Sequence, residues 1–147
     1  MVDRSGLESI ILERFTDFAA CVRRANLRQN SELRNFWRLR SLPTFYAFGV
    51  YAGKLLARDR LAEFESVLEF VEEVHEHGTS EAIDNIVFFV LEALAGTMEE
   101  LGIDFQLAES RLGQKSSESV ELLILTNLWY HTPLLDGSLE SVAFEEA

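Results

Sequence analysis

Residues 61–96 read LAEFESVLEFVEEVHEHGTSEAIDNIVFFVLEALAG, and they decide the fold. Leu61, Phe64, Val67, Leu68, Val71 and Val74 recur at spacings of three and four, the stripe of a helix from about 60 to 77 that Gly78 ends. Thr79 or Ser80 can cap the next helix, about 80 to 96, in which Ile83, Ile86, Val87, Phe89, Val90, Leu91 and Leu94 cover most of the circumference. A helix apolar on most sides belongs at the centre of a bundle, and so short a link makes the two helices antiparallel neighbours. Leu68, Val71, Ile86, Val87 and Val90 are therefore expected to be buried together.

Upstream, Ser5-Gly6-Leu7-Glu8 fits a capping box, and Leu7, Ile10, Ile11, Phe15, Phe18, Val22 and Ala25 carry one apolar stripe, predicting a helix from about 6 to 25. A basic stretch follows, with Arg23, Arg24, Arg28, Arg34, Arg38 and Arg40 around Leu33, Phe36 and Trp37, and a short helix is expected over about 31 to 40. Pro43 suits the first position of a helix reaching about 58. Within it Gly49, Gly53 and Ala57 recur every fourth residue, a flat ridge on which another helix can lie close.

Downstream, Thr97-Met98-Glu99-Glu100 reads as a capping box opening a turn that ends near Gly102. Asp104 to Leu112 reads as a short helix before Gly113, the polar run Gln114 to Ser119 as a loop, and about 118 to 131 as a last helix ended by Pro133. Together these segments predict an all-α, single-domain antiparallel helical bundle of about six helices over residues 1–133, with a short stack of helical hairpins as second choice. Residues 134–147 are expected to form an acidic C-terminal tail, docked or mobile.

Composition bounds the rest. A chain of 147 residues, 48% apolar and 26% charged, can bury roughly two thirds of its unfolded surface without a metal or disulfide staple. Its single thiol, Cys21, cannot bridge internally, and MVDRSGLES has no apolar segment of the signal-peptide kind, so a reducing cytoplasm is the expected compartment. No apolar run approaches the ~20 residues of a membrane span.

Catalytic and metal signatures are sparse. Glu72 and His75 have the Glu-x-x-His spacing of di-iron bundles, but those sites need the motif twice and two further Glu, and it occurs once. His75 and His77, two apart on a helix, point to different faces and read as helix-end residues near the negative pole. Cys21 has no His in its segment and reads as core filler. With no phosphate loop, dinucleotide fingerprint or nucleophile elbow, the chain is read as no enzyme, with no catalytic residue, metal or cofactor assigned. Phe36, Trp37 and Tyr46 among arginines have the composition of a nucleic-acid footprint, but a net charge of −12 opposes that reading.

The charge is uneven: residues 1–60 hold 11 basic and 6 acidic side chains, and residues 61–147 hold 2 and 19. Glu65, Glu69, Glu72, Glu73 and Glu76 lie opposite the apolar stripe of the 60–77 helix, none with a Lys or Arg four residues away. Like charges at such spacings cost a helix a few tenths of a kcal/mol each, so the stripe is either a plain solvated face or one kept for a basic partner. The next helix adds Glu81, Asp84, Asn85 and Glu92 around Phe88, an aromatic ringed by acids in the manner of a binding hot spot.

Residues 42–96 also carry a resemblance. Leu42-Pro43, then Val71-Glu72-Glu73-Val74-His75-Glu76-His77-Gly78, Ile83-Asp84-Asn85-Ile86 and Val90-Leu91-Glu92 before Gly96 resemble small all-helical bacterial proteins, some of them similar to immunity proteins of polymorphic-toxin systems. The resemblance covers just over a third of the chain and leaves the Arg-rich segment 23–40 unmatched. It implies a protein that binds and occludes a toxin, with Asn85 and Glu92 on the contact face. The resulting expectation is an acidic protein-binding module, an immunity-like inhibitor of a basic toxin domain. A small helical scaffold or regulator, alone or as a homodimer, is the alternative, and an enzyme the third reading.

Overall fold

The computed structural model describes residues 4–28 and 42–125, and every regular element among them is helical. The all-α expectation therefore holds. The helix expected over 31–40, the chain past Leu125, and the tail 134–147 lie outside the described residues.

The single helix expected from 6 to 25 is two, α1 (Arg4–Arg14) and α2 (Thr16–Arg28). They meet at Phe15, whose N–H donates to Ile11 C=O and whose C=O accepts from Ala19 N–H, both at 2.9 Å. The junction is packed into the core: Phe15 and Phe18 both meet Phe48, with ring centroids 5.0 and 5.1 Å away, while Phe15 also meets Phe70 at 5.6 Å and Phe18 meets Tyr51 at 5.2 Å. Aromatic pairs of this kind add about 0.5–1.5 kcal/mol beyond their burial.

Helix α3 (Leu42–Ala57) is buried along most of its length, including Phe45, Phe48, Val50, Ala52 and Leu55. Its end is a Schellman turn: Arg60 N–H reaches Leu55 C=O at 3.0 Å, Asp59 N–H reaches Leu56 C=O at 3.1 Å, and Asp59 takes the left-handed φ of 62°. The turn leads directly into α4 (Leu61–His77), as the periodicity predicts. Gly78 stops α4 for another reason than the left-handed cap expected of it. Its φ of −81° is ordinary, but a Cβ there would stand 2.7 Å from Val74 C=O, to which its N–H donates.

Beyond Thr79, whose hydroxyl oxygen accepts from Ala82 N–H at 3.1 Å, the chain forms one long rod. It comprises α5 (Ser80–Asn85), a π-helical turn (Ile86–Leu91) and α6 (Glu92–Glu100), with helical dihedrals kept through both junctions. Leu68, Val71, Ile86, Val87 and Val90 are all buried in the same core cluster, as expected. The rod lies along α3 on the glycine ridge. A Cβ on Gly49 would collide with Val90 C=O and sit 2.7 Å from Ala93 Cβ, and one on Gly53 would sit 2.6 Å from Thr97 Cγ2. Contacts that advance together along both chains make α3 and the rod parallel, with α4 running back between them in sequence.

Three local readings from the end of the rod onward are corrected. Thr97 does not open a capping box: it is fully buried inside α6, its methyl on Gly53. The helix continues to a second Schellman turn, where Ile103 N–H reaches Met98 C=O at 2.8 Å, Gly102 N–H reaches Glu99 C=O at 3.2 Å, and Gly102 has φ 71°. The helix expected over 104–112 shrinks to α7 (Gln106–Glu109), whose Gln106 N–H donates to Asp104 Oδ1 at 3.0 Å. Nor is Gln114 to Ser119 a loop, since it forms the first half of α8 (Gln114–Leu125).

Candidate functional site

The ten residues expected to face a partner sit on α4 and the rod, but they do not act alike. Glu72 is a structural cap. Its Oε2 accepts from Lys115 N–H at 3.1 Å, and its Oε1 accepts from Ser116 N–H at 2.9 Å and from the Ser116 hydroxyl at 3.0 Å. These are orphan donors of the first turn of α8, which explains why a polar run with poor helix propensity is helical. Burial would push the Glu72 carboxyl up, but the bonds from Ser116 and Lys115, with His75 nearby, together hold it below its usual range. Gly113 makes room, because a Cβ there would lie 2.5 Å from Glu72 Cδ.

His75 belongs to the same tie rather than to an exposed helix end. It is 8% exposed, its Nδ1 is 3.0 Å from Val71 C=O and 3.2 Å from Ser116 Oγ, and its Nε2 is 3.1 Å from Ser119 Oγ. A carbonyl can only accept, so Nδ1 carries the proton, and in the neutral ring Nε2 accepts from the Ser119 hydroxyl. Ser119 and His75 stand at the distance of a nucleophile and its base. The first-turn N–H groups of Lys115 and Ser116 are held by Glu72, and the arrangement fastens α4 to α8.

Two more carboxylates of the stripe have partners from distant sequence. Arg14 forks Glu73 at 2.8 and 3.3 Å while its guanidinium stands 5.3 Å from the Phe70 ring centroid. The hydrogen bond from Arg14 is the main reason the Glu73 carboxyl lies below its usual range. Arg111 stands 3.6 Å from Glu65. The self-repulsion expected of the stripe is thus relieved at these positions by tertiary contacts.

Asn85 is not on the polar side of its helix. It is 5% exposed and its side-chain amide donates to Glu81 C=O at 2.8 Å. Ala82 and Asn85, three apart on α5, face inward together, Ile86, Val87, Val90 and Leu91 of the π turn continue the buried side, and Leu94 and Met98 carry it along α6. Glu92 is partly buried. Burial, with Glu92 and Glu100 nearby, pushes the Tyr46 phenol up to about 12, which places Glu92 beside α3.

What remains outward is a smaller set. Glu69, Glu76, Glu81 and Asp84 are exposed, with Glu76 and Glu81 on either side of the Gly78–Thr79 link, and Phe88 is 39% exposed on the π turn. Among the described residues no Lys or Arg makes an ion pair with Glu76, Glu81 or Asp84, and Glu76 has only His77 at 3.6 Å. Sequence reasoning missed Gly113, Ser116 and Ser119 on one side of the tie and Arg14 and Arg111 on the acidic stripe. No local signal marks any of them, since each meets its partner across more than forty residues. Among the described residues no group of three or more His, Cys, Asp or Glu is placed to hold a metal ion, and no helix is long and apolar enough to cross a membrane. Compared with known proteins, the chain matches no family model, no curated protein and no solved structure.

Proposed function

We propose that this chain is an acidic protein-binding module, and that its contact face is the corner where α4 meets the rod. Phe88 is the apolar anchor, and Glu76, Glu81 and Asp84 are the rim that draws in a basic partner. One observation carries the reading. Residues 61–100 hold eleven carboxylates and no Lys or Arg, and of these Glu76, Glu81 and Asp84 are exposed and ion-paired with no Lys or Arg among the described residues, while Phe88 is the exposed aromatic of the rod. The resemblance of residues 42–96 supports an immunity-like role, in which the partner is a basic toxin domain occluded by binding. Asn85, buried beneath the surface, holds the turn instead of touching the partner, and Glu92 stands at the margin.

The test begins with capture of the partner from the native host and continues with stopped-flow association. Replacing Glu81 and Asp84 together by Gln and Asn should slow association at 0.01 M salt, where the Debye length is about 30 Å. At 1 M, where it is about 3 Å, association should hardly change. Phe88→Ala should raise the off-rate. Equal on-rates at every salt concentration would reduce the acidic corner to a solvated face.

A further inference from the structure

Where α1 bends into α2, a cleft of about 270 Å³ opens toward α3 and α4. Phe15, partly exposed, gives it aromatic surface above the buried Tyr51, Thr16, Asp17 and Ser66 give it polar groups, and two ion-paired side chains, Arg14 and Glu63, complete its lining. The charges around it can be counted. Arg14 is forked on Glu73 at 2.8 and 3.3 Å, and Arg60 is forked on Glu63 through two bonds of 2.7 Å. Asp17 is left over: its side chain is 69% exposed and its contact with Arg60 is 3.6 Å long, to a guanidinium already engaged by Glu63. Among the described residues, two matched pairs and one further carboxylate held only by a long contact, beside aromatic surface, make a small concave site with a net negative charge. The Tyr51 phenol registers the same field, held above its ordinary range first by burial and then by Glu63 and Asp17 against the opposing Arg60.

We propose that this cleft binds a small monocation with an apolar stem, an alkylguanidinium or alkylammonium, with its head on Asp17 and its stem on Phe15. A cation beside an aromatic face is attracted by the ring quadrupole, and the stem gains by leaving water. The fold already uses this chemistry next door, where the Arg14 guanidinium stands 5.8 and 5.3 Å from the Phe15 and Phe70 centroids with a carboxylate on its edge. An anion would find both arginines occupied and Asp17 repelling it. The head group can belong to a free amine or to a Lys or Arg side chain of another protein. The site does not depend on the acidic corner at Phe88, so either reading can fail alone.

The experiment is a titration of the full chain, followed through its backbone amide NMR shifts at Thr16, Asp17 and Ser66. The probes are n-butylguanidinium, n-butylammonium and the neutral n-butylurea. Both cations should move these amides saturably and the urea should bind far more weakly. Asp17→Asn should weaken the cations about fivefold, Asp17→Glu should restore much of the affinity, and circular dichroism should show both variants folded. Ser66→Leu, which fills the cleft from α4, should remove binding by a separate route. Tighter binding of Nα-acetyl-arginine methylamide than of n-butylguanidinium assigns the site to a protein side chain, and the reverse order assigns it to a free amine. Equal binding of n-butylurea and n-butylguanidinium, or unchanged cation affinity in Asp17→Asn, would overturn the proposal.

Discussion

The fastening between α4 and α8 makes a prediction that no independent pair of residues would satisfy. Glu72→Ala removes a carboxylate that takes two N–H groups and a hydroxyl at the start of α8. Ordinary cap deletions cost about 0.5–2 kcal/mol, and hydrogen bonds to a charged group lie at or above the top of that range, so about 2 kcal/mol is expected from this partly exposed cap. Gly113→Ala should act through the same atoms. Its Cβ would fall 2.5–2.6 Å from Glu72 Cδ, Cγ and Oε1, and the carboxylate must leave the helix end to admit it. The cost should again approach 2 kcal/mol, less about 0.4–1 kcal/mol returned by the stiffer unfolded chain. In the Glu72→Ala background the collision is gone, and Gly113→Ala should become neutral or slightly stabilising. A double-mutant cycle from urea midpoints at pH 7 should therefore show a coupling of about 2 kcal/mol. Costs that simply add would mean that Glu72 is not what Gly113 accommodates. The pH dependence has a definite sign. The folded Glu72 carboxyl lies below its usual range, so its stabilisation is fully present above the unfolded value of about 4.3 and is lost as pH falls through the folded value. The stability gap between the natural chain and Glu72→Gln should narrow as pH falls below about 4, and a gap equal at pH 7 and pH 3 would refute the carboxylate as its source.

Gly53→Ala should lower the urea midpoint by the equivalent of about 1–3 kcal/mol, because overpacking against Thr97 outweighs the roughly 1 kcal/mol gain in helix propensity. A raised midpoint would show that α3 and the rod are not in close contact there. Replacing Glu69 and Glu76 together by Gln should leave the free protein as stable or a few tenths of a kcal/mol more so in low salt, whereas Glu73→Gln, which loses the Arg14 fork, should cost up to about 1 kcal/mol. Thermal melts at low and high salt distinguish these cases, and identical effects of the two changes would mean that the Arg14 contact carries nothing.

Much of the architecture is written in local periodicity. The stripe from Leu61 to Val74 is a complete statement of α4, and the Gly49–Gly53 ridge announces a close helix contact before any partner is known. Two kinds of information are not local. Gln114 to Ser119 has the composition of a loop, and its helical state is set by a carboxylate 43 and 44 residues earlier in the chain. The π turn at Ile86–Leu91 is the other, since no spacing rule at 3.6 residues per turn contains its extra residue.

The same distinction governs the candidate site. In the sequence Glu65, Glu69, Glu72, Glu73 and Glu76 are five equivalent charges on one face. In the folded chain Glu72 caps α8, Glu73 is forked by Arg14, and Arg111 approaches Glu65, so three of the five hold the protein to itself. A carboxylate committed in this way cannot be removed to test partner binding without also loosening the fold. Charges that a partner could use without that cost must come from those the fold leaves exposed, and of the residues expected on the contact face these are Glu69, Glu76, Glu81 and Asp84. Of these, Glu76 and Glu81 flank the Gly78–Thr79 link, Asp84 precedes Phe88 by four residues on the rod, and Phe88 is exposed on the π turn while Val87 and Val90 are buried. An exposed phenylalanine on the π turn, following Glu81 and Asp84 of α5 that pair with no Lys or Arg among the described residues, puts an irregular turn next to the proposed contact face, and an effect of Phe88→Ala confined to partner dissociation would be its signature.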